Sequence, residues 1–171
     1  RLNPTLFHAH PVCAGSAGGT LVHLKSRDLH ELGELPCAVS PEQEQAALDN
    51  GLRLLVKDIE LRLLDNDGTA SAILDAHRSL ATDASLRQHL LDGILTGFSC
   101  AQAIVATSDH FCARFRDSGN TYLQERVLDV RDVCFQLLQH IYGEARFPPP
   151  GQLREAAICL ADELTPSQFL E

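Results

Sequence analysis

Between residues 40 and 143, apolar residues recur every three or four positions, which is the spacing of α-helices that bury one face. The first helix is predicted to run from Ser40 to Asp65, because Ser40 suits an N-cap and Pro41 suits the first helical position. Further helices are predicted at residues 69–94, with a break at Asp83, and at residues 99–116 and 120–143. Short polar turns join these helices, so we expect two antiparallel helical hairpins packed as a four-helix bundle.

The segments on either side of these helices have a different pattern. Residues 1–39 are rich in proline and glycine, and Thr20–Leu24 is predicted to be a strand. Residues 144–171 contain a proline linker at 148–150, a predicted buried strand at 156–160 and the start of a helix at Thr165. The predicted fold class is therefore mainly α, with the bundle at 40–143 flanked by incomplete α/β segments at 1–39 and 144–171.

Net charge and cysteine usage limit which binding partners and which cellular compartment fit this chain. The formal net charge of −9 makes nucleic acids and anionic membranes poor partners, and no apolar run is long enough for membrane insertion. The six cysteines are scattered and form no Cys-x-x-Cys pair, which favours small apolar residues in a reduced, cytoplasmic protein over disulfides or a zinc site. The chain lacks methionine even as a first residue, so we expect it to be a piece of a longer protein.

Residues 122–132 open the last predicted helix and combine an apolar stripe with dense charge. The stripe continues through Leu123, Val127, Val130, Cys134, Leu137 and Ile141. The charged residues among these positions are Glu125, Arg126, Asp129, Arg131 and Asp132. One interpretation is a solvated helix face whose charges pair at i,i+3 and i,i+4 spacing.

The alternative comes from matched motifs. The pattern Tyr-Leu-x-Glu-Arg-x-x-Asp-Val-Arg-Asp at 122–132 is accompanied by Ala-Ile-Leu-Asp-Ala-His at 72–77 and by Leu-Thr-Pro-Ser at 164–167. In this order and at these separations, the segments resemble the N-terminal domain of phosphoenolpyruvate-protein phosphotransferases, the enzyme I family of the bacterial sugar phosphotransferase system. The resemblance runs from about residue 10 to the end and is closest to the enzyme I part of multiphosphoryl transfer proteins.

This resemblance implies a function for the two kinds of segment. Residues 40–143 would dock the phosphocarrier protein HPr, or a fused HPr-like domain, and the flanks would belong to an α/β phosphohistidine subdomain. In the family, the active histidine lies in a glycine-rich loop downstream of Leu-Thr-Pro-Ser, so we expect no catalytic residue and no cofactor within this chain. The parent enzyme would use Mg²⁺ and would bind phosphoenolpyruvate through its C-terminal domain.

The resemblance also assigns site residues. Thr165 matches the threonine that hydrogen-bonds the active histidine, although it suits a plain N-cap equally well. Asp129 and Asp75 match acidic residues that face that histidine. The HPr-docking face would be an apolar groove with a charged rim formed by Ala72, Ile73, Ala76, His77, Leu80, Leu86, Phe115, Leu123 and Arg126.

His77 allows two interpretations, a half-buried structural histidine or, by the resemblance, an interface residue on the HPr-facing helix. Asp75 is two positions away and points elsewhere on a helix, which argues against a catalytic pair. His8 and His10 have no third ligand nearby, so no metal site is predicted and loop residues are the better interpretation.

The sequence also departs from the family pattern. Ala70 replaces a lysine that is usual near Asp75, and uncharged residues replace acidic ones at positions 68, 69, 84 and 85. Electrostatic steering of a basic carrier should therefore be weaker, and a fused carrier would compensate through its high effective concentration. On charge and helices alone, a non-catalytic interaction or regulatory bundle fits as well.

Overall fold

The computed structural model of the protein describes residues 14–24, 29, 40–143 and 156–170. Its helices are Pro41–Asp65 (α1), Gly68–Ala81 (α2), Ala84–Leu95 (α3), Cys100–Asp117 (α4), Thr121–Glu125 (α5), Val127–Tyr142 (α6) and Pro166–Leu170 (α7). Its strands are Thr20–Leu24 (β1) and Ala157–Ala161 (β2). The mainly α architecture is confirmed, whereas the predictions for His8, His10 and the linker at 148–150 lie outside the described residues.

Predicted capping residues start most of the helices. The Ser40 hydroxyl accepts a hydrogen bond from Gln43 N–H at 3.4 Å, and the Asp83 carboxylate accepts one from Leu86 N–H at 2.8 Å. Ser99 and Gln102 form the reciprocal capping box. Helix α2 begins at Gly68, one residue before its predicted start, with Asp67 at the N-cap position.

Helices α1 and α6 cross closely, and two side chains join both to the start of α4. A methyl group at Gly51 would lie 2.4 Å from Ile141 Cγ1, so any other residue would require the Ile141 side chain or α6 to shift. The buried Glu44 accepts a hydrogen bond from Cys100 N–H at 2.8 Å, and the Tyr142 hydroxyl accepts one from Ala101 N–H at 3.1 Å. The first turn of α4, whose amides have no partner within the helix, is thereby satisfied by its neighbours.

Three cysteines are part of the bundle core. Cys100, Cys112 and Cys134 are buried and free, which agrees with their predicted use as small apolar residues. Burial raises the pKa of the Cys134 thiol to about 12, and burial together with the charge of Glu44 raises that of Cys100 to about 12. Both thiols are therefore protonated near neutral pH.

Two predictions about the elements are wrong. The last helix is not continuous, because it is interrupted at Arg126, which ends α5 and precedes α6 and whose N–H donates to the Leu123 carbonyl, three residues back. Strand β2 is not buried, because Ile158 and Leu160 are 41% and 54% exposed. In the described part of the chain β2 pairs only with β1, in a parallel ladder from Thr20↔Ala157 to Leu24↔Ala161, so its other edge has no strand partner there.

Candidate functional site

Helix α6 holds the start of α7 through one carboxylate. Asp132 is 1% exposed, and its two oxygens accept hydrogen bonds from Ser167 N–H at 2.6 Å and from the Ser167 hydroxyl at 2.5 Å. Such short, charge-assisted bonds are among the stronger hydrogen bonds of proteins. The Leu-Thr-Pro-Ser turn is therefore fixed against the bundle by Asp132.

Thr165 lies in the same turn and acts as a helix cap in this chain. Its N–H donates to Gln168 Oε1 at 3.0 Å, and its hydroxyl accepts a long hydrogen bond from Gln168 N–H at 3.5 Å. The side chain is buried. The capping interpretation is confirmed, and the role of Thr165 toward an active histidine stays a prediction.

His77 lies in the core beside Asp132. Only 1% of its surface is exposed, so the half-buried interpretation is wrong, and its place at a docking interface stays a prediction. Its Nε2 lies 3.5 Å from Asp129 Oδ1 and 3.8 Å from Asp132 Oδ2, and its Nδ1 lies 3.5 Å from Gln136 Nε2. We call His77, Asp129, Asp132, Gln136 and Ser167 the buried polar cluster.

Asp129 connects this cluster to the surface. Its Oδ2 accepts a hydrogen bond from Arg126 Nη1 at 2.8 Å, and Arg126 also donates to the Tyr122 hydroxyl at 3.0 Å. Burial alone would raise the pKa of Asp129, but the nearby imidazole of His77 and the hydrogen-bonded guanidinium of Arg126 outweigh it and hold the pKa below its usual range. The hydrogen bond to Asp129 in turn raises the pKa of Arg126. Asp129 is thus an ionised, paired carboxylate at neutral pH.

The solvated-face interpretation of residues 122–132 fails for both aspartates of α6. Asp129 and Asp132 are buried because α2 and α7 cover their side of the helix, whereas Glu125 is exposed. Arg131 pairs with Glu163, which ties α6 to the segment after β2.

Sequence reasoning missed Asp132, Gln136 and Ser167 as members of this cluster. The spacing of Asp129, Asp132 and Gln136 on one helix face was a usable signal. Asp75 is predicted, like Asp129, to face the active histidine, and this stays a prediction; its carboxylate is half exposed and pairs with Arg78 at 2.8 Å. The structure does not bring Asp75 into the cluster.

The predicted docking residues divide into two sets. Ala72 is exposed, and the partly exposed members are Ile73, Ala76, Leu80, Phe115, Leu123 and Arg126. Leu86, by contrast, is 2% exposed and continues the core stripe of α3 with Leu90 and Ile94. Leu86 is therefore a core residue in this structure, and its place on the docking face, like that of His77, stays a prediction.

Two further features were sought among the described residues. No group of three or more histidine, cysteine or acidic side chains is placed there to hold a metal ion. None of the helices in that part of the chain is both long and apolar enough to cross a membrane.

Comparisons with known proteins agree with the motifs. Residues 8–126 match the family model described as PEP-utilising enzyme, N-terminal. Multiphosphoryl transfer protein 2 of Escherichia coli K12 is 64% identical over 170 residues, which cover 99% of this chain and 20% of that protein. Phosphoenolpyruvate-protein phosphotransferase of Staphylococcus carnosus is 36% identical over 98 residues, or 57% of this chain and 17% of that protein. The chain thus spans about a fifth of the length of such relatives.

Solved structures give the same architecture. An N-terminal domain of Enzyme 1 - Nitrogen aligns with a TM-score of 0.63 and 22% identity, over 86% of this chain and 62% of that one. A solution structure of Enzyme I (nEIt) aligns with a TM-score of 0.58 and 24% identity, over 75% of this chain and 54% of that one. At this identity the likeness concerns the fold alone.

Proposed function

The chain belongs to the family of PEP-utilising enzyme N-terminal domains, and from this membership we propose that it is the carrier-docking portion of a phosphoenolpyruvate-dependent protein phosphotransferase. In the whole protein, a histidine outside residues 1–171 passes a phosphoryl group to HPr, or to a fused HPr-like domain, docked on the helices. The similarity to a multiphosphoryl transfer protein over 99% of the chain carries the proposal.

The surface of α2 supports a docking role. Ala72 is exposed, and Ile73, Ala76 and Leu80 are partly exposed at the spacing of one helix face. Small side chains on such a face let a partner helix approach closely, and a charged rim gives the contact its register. Arg126 supplies a cation for the rim and is held in place by Tyr122 and Asp129.

Charge and thiol chemistry agree with this setting. A net charge of −9 suits a basic carrier, and buried free thiols suit the reducing cytoplasm, where we place the protein. Mg²⁺ and phosphoenolpyruvate would act in other parts of the whole protein. The described residues bring no set of metal ligands together, so we assign no Mg²⁺ step to them.

Titration calorimetry with purified HPr, and separately with the HPr-like domain of a multiphosphoryl transfer protein, tests the proposal. Ala72→Glu places a charge in the proposed face and should weaken binding at least about tenfold, or roughly 1.4 kcal/mol. Ala46→Glu is the matched control, because Ala46 is equally exposed on α1, which contributes no residue to the face. Absence of binding to both carriers, or equal binding by the Ala72→Glu variant, would contradict the proposal.

A further inference from the structure

The imidazole of His77 lies between two carboxylates without bonding to either. Nε2 is 3.5 Å from Asp129 Oδ1 and 3.8 Å from Asp132 Oδ2, and both distances exceed the normal hydrogen-bond range. Among the described residues, Nε2 is a buried polar atom with no hydrogen-bond partner. A buried polar group in this condition is uncommon and calls for a physical explanation.

The other face of the ring fixes where the proton lies. Nδ1 is 3.5 Å from Gln136 Nε2, and an amide nitrogen can only donate a hydrogen bond. This contact is as long as the one between Nε2 and Asp129, but it places a donor in front of Nδ1. A ring proton on Nδ1 would face that donor, whereas a ring proton on Nε2 faces the two carboxylates, so the geometry favours the proton on Nε2. One N–H donor is thus offered to two acceptors.

Each carboxylate is hydrogen-bonded to a different part of the molecule. Asp129 is hydrogen-bonded to Arg126, whose side chain is about one-third exposed at the junction of α5 and α6. Asp132 is hydrogen-bonded to Ser167 at the start of α7. His77 belongs to neither helix, because it projects from α2.

We propose that His77 is a two-position coupler between Arg126 at the surface and Ser167 on α7. A ring movement of about half an ångström toward Asp129 completes one hydrogen bond, and a slightly larger movement toward Asp132 completes the other. Because one proton serves both, a change in the partner of Asp129 alters the charge that Asp132 offers to Ser167. The coupling requires an element with two discrete arrangements, and the ring supplies it. It belongs to the chain itself and does not depend on carrier docking.

Amide hydrogen exchange of Ser167, measured by NMR on the 171-residue chain, tests this coupling. Arg126→Gln removes the cation from Asp129 and should change the protection factor of Ser167 N–H at least about threefold, beyond the roughly twofold scatter expected of independent sites. The core amides of Leu137 and Leu138 serve as the reference for global stability. The matched control is Arg78→Gln, because Arg78 pairs with Asp75 at the same 2.8 Å and the same i,i+3 spacing outside the cluster.

The His77→Phe background should abolish the response of Ser167 to Arg126→Gln. Should that variant fail to fold, the ¹⁵N signals of the His77 ring provide a second measurement, which should shift in opposite directions in Arg126→Gln and in Ser167→Ala. Any of three results would overturn the proposal. They are an unchanged Ser167 protection factor in Arg126→Gln, a Ser167 response that persists in His77→Phe, and His77 ring signals that do not shift on one of the two substitutions.

Discussion

Asp129 and Asp132 are three residues apart in α6, yet different interactions stabilise their charges. Asp129 is compensated by Arg126 and His77, whereas Asp132 is compensated mainly by the two hydrogen bonds from Ser167. A buried carboxylate without such partners would cost several kcal/mol. At this scale the identity of each partner decides whether a charged residue can lie in the core.

Replacing Asp129 by asparagine should change how stability depends on pH. The folded-state pKa of Asp129 is lowered, so its carboxylate stabilises the fold above its unfolded pKa of about 4 and loses this contribution as pH falls through the folded value. Asp129→Asn should therefore unfold more easily at pH 7, and the difference from the wild type should shrink below about pH 4. Urea unfolding from pH 7 to pH 3 measures this.

Asp75→Asn is the control for that experiment, because the Asp75–Arg78 pair is half exposed and such pairs contribute little. A difference in unfolding free energy between Asp129→Asn and the wild type that is the same at pH 7 and at pH 3 would contradict the assigned role of Asp129.

Two leucines of α3 test the corrected interpretation of Leu86. Leu86→Ala should lower the free energy of unfolding by about 2–5 kcal/mol, because it empties a fully packed position. Leu95→Ala should change it by less than about 0.5 kcal/mol, because Leu95 is 71% exposed on the same helix. Denaturant unfolding compares the two variants, and a similar loss of unfolding free energy in both would show that Leu86 is not part of the core.

At the scale of elements, two positions set how neighbouring helices meet. Gly51 lets α1 approach Ile141 of α6, and Arg126 interrupts what would otherwise be one helix from α5 to α6. Neither effect follows from helix propensity, which disfavours Gly51 and accepts Arg126. Packing between α1 and α6 therefore outweighs local preference at Gly51, and helix propensity does not explain the interruption at Arg126.

Gly51→Ala should destabilise the bundle although alanine is the better helix former. Overpacking against Ile141 costs about 1–3 kcal/mol, which should exceed the propensity gain of about 1 kcal/mol. In an Ile141→Ala background the two closest contacts are gone and Leu137 Cδ1 stays at 3.2 Å, so the same substitution should cost less or become stabilising. Thermal or urea unfolding of the wild type, the two single variants and the double variant measures these effects. A stabilising Gly51→Ala in the wild-type background would contradict the close approach.

At the scale of the whole molecule, the bundle and the sheet differ in burial. The fully buried side chains come from α1, α2, α3, α4 and α6, whereas Leu21, Ile158 and Leu160 of the two strands are exposed. A two-stranded ladder with little apolar burial is marginal by itself. The sheet should therefore open more readily than the helices.

Hydrogen exchange compares these two parts within one sample. Amides of Thr20–Leu24 should exchange through local opening of small free energy, whereas amides at 127–138 should approach the free energy of global unfolding. Equal protection of the two segments would show that the α/β part is stable by itself.

The sequence by itself determined the helical bundle, most helix starts and the family, because these depend on local signals. Periodicity locates the apolar stripes, Ser40, Asp83 and Ser99 identify the caps, and short motifs carry the resemblance. Only the tertiary structure decided that His77 and Leu86 are buried and that the last helix breaks at Arg126. A periodic pattern shows which residues share a helix face but not which neighbour covers that face. The polar cluster joins residues from α2, α6 and α7 that are 35 and 59 positions apart, so contact in the folded chain is what creates it.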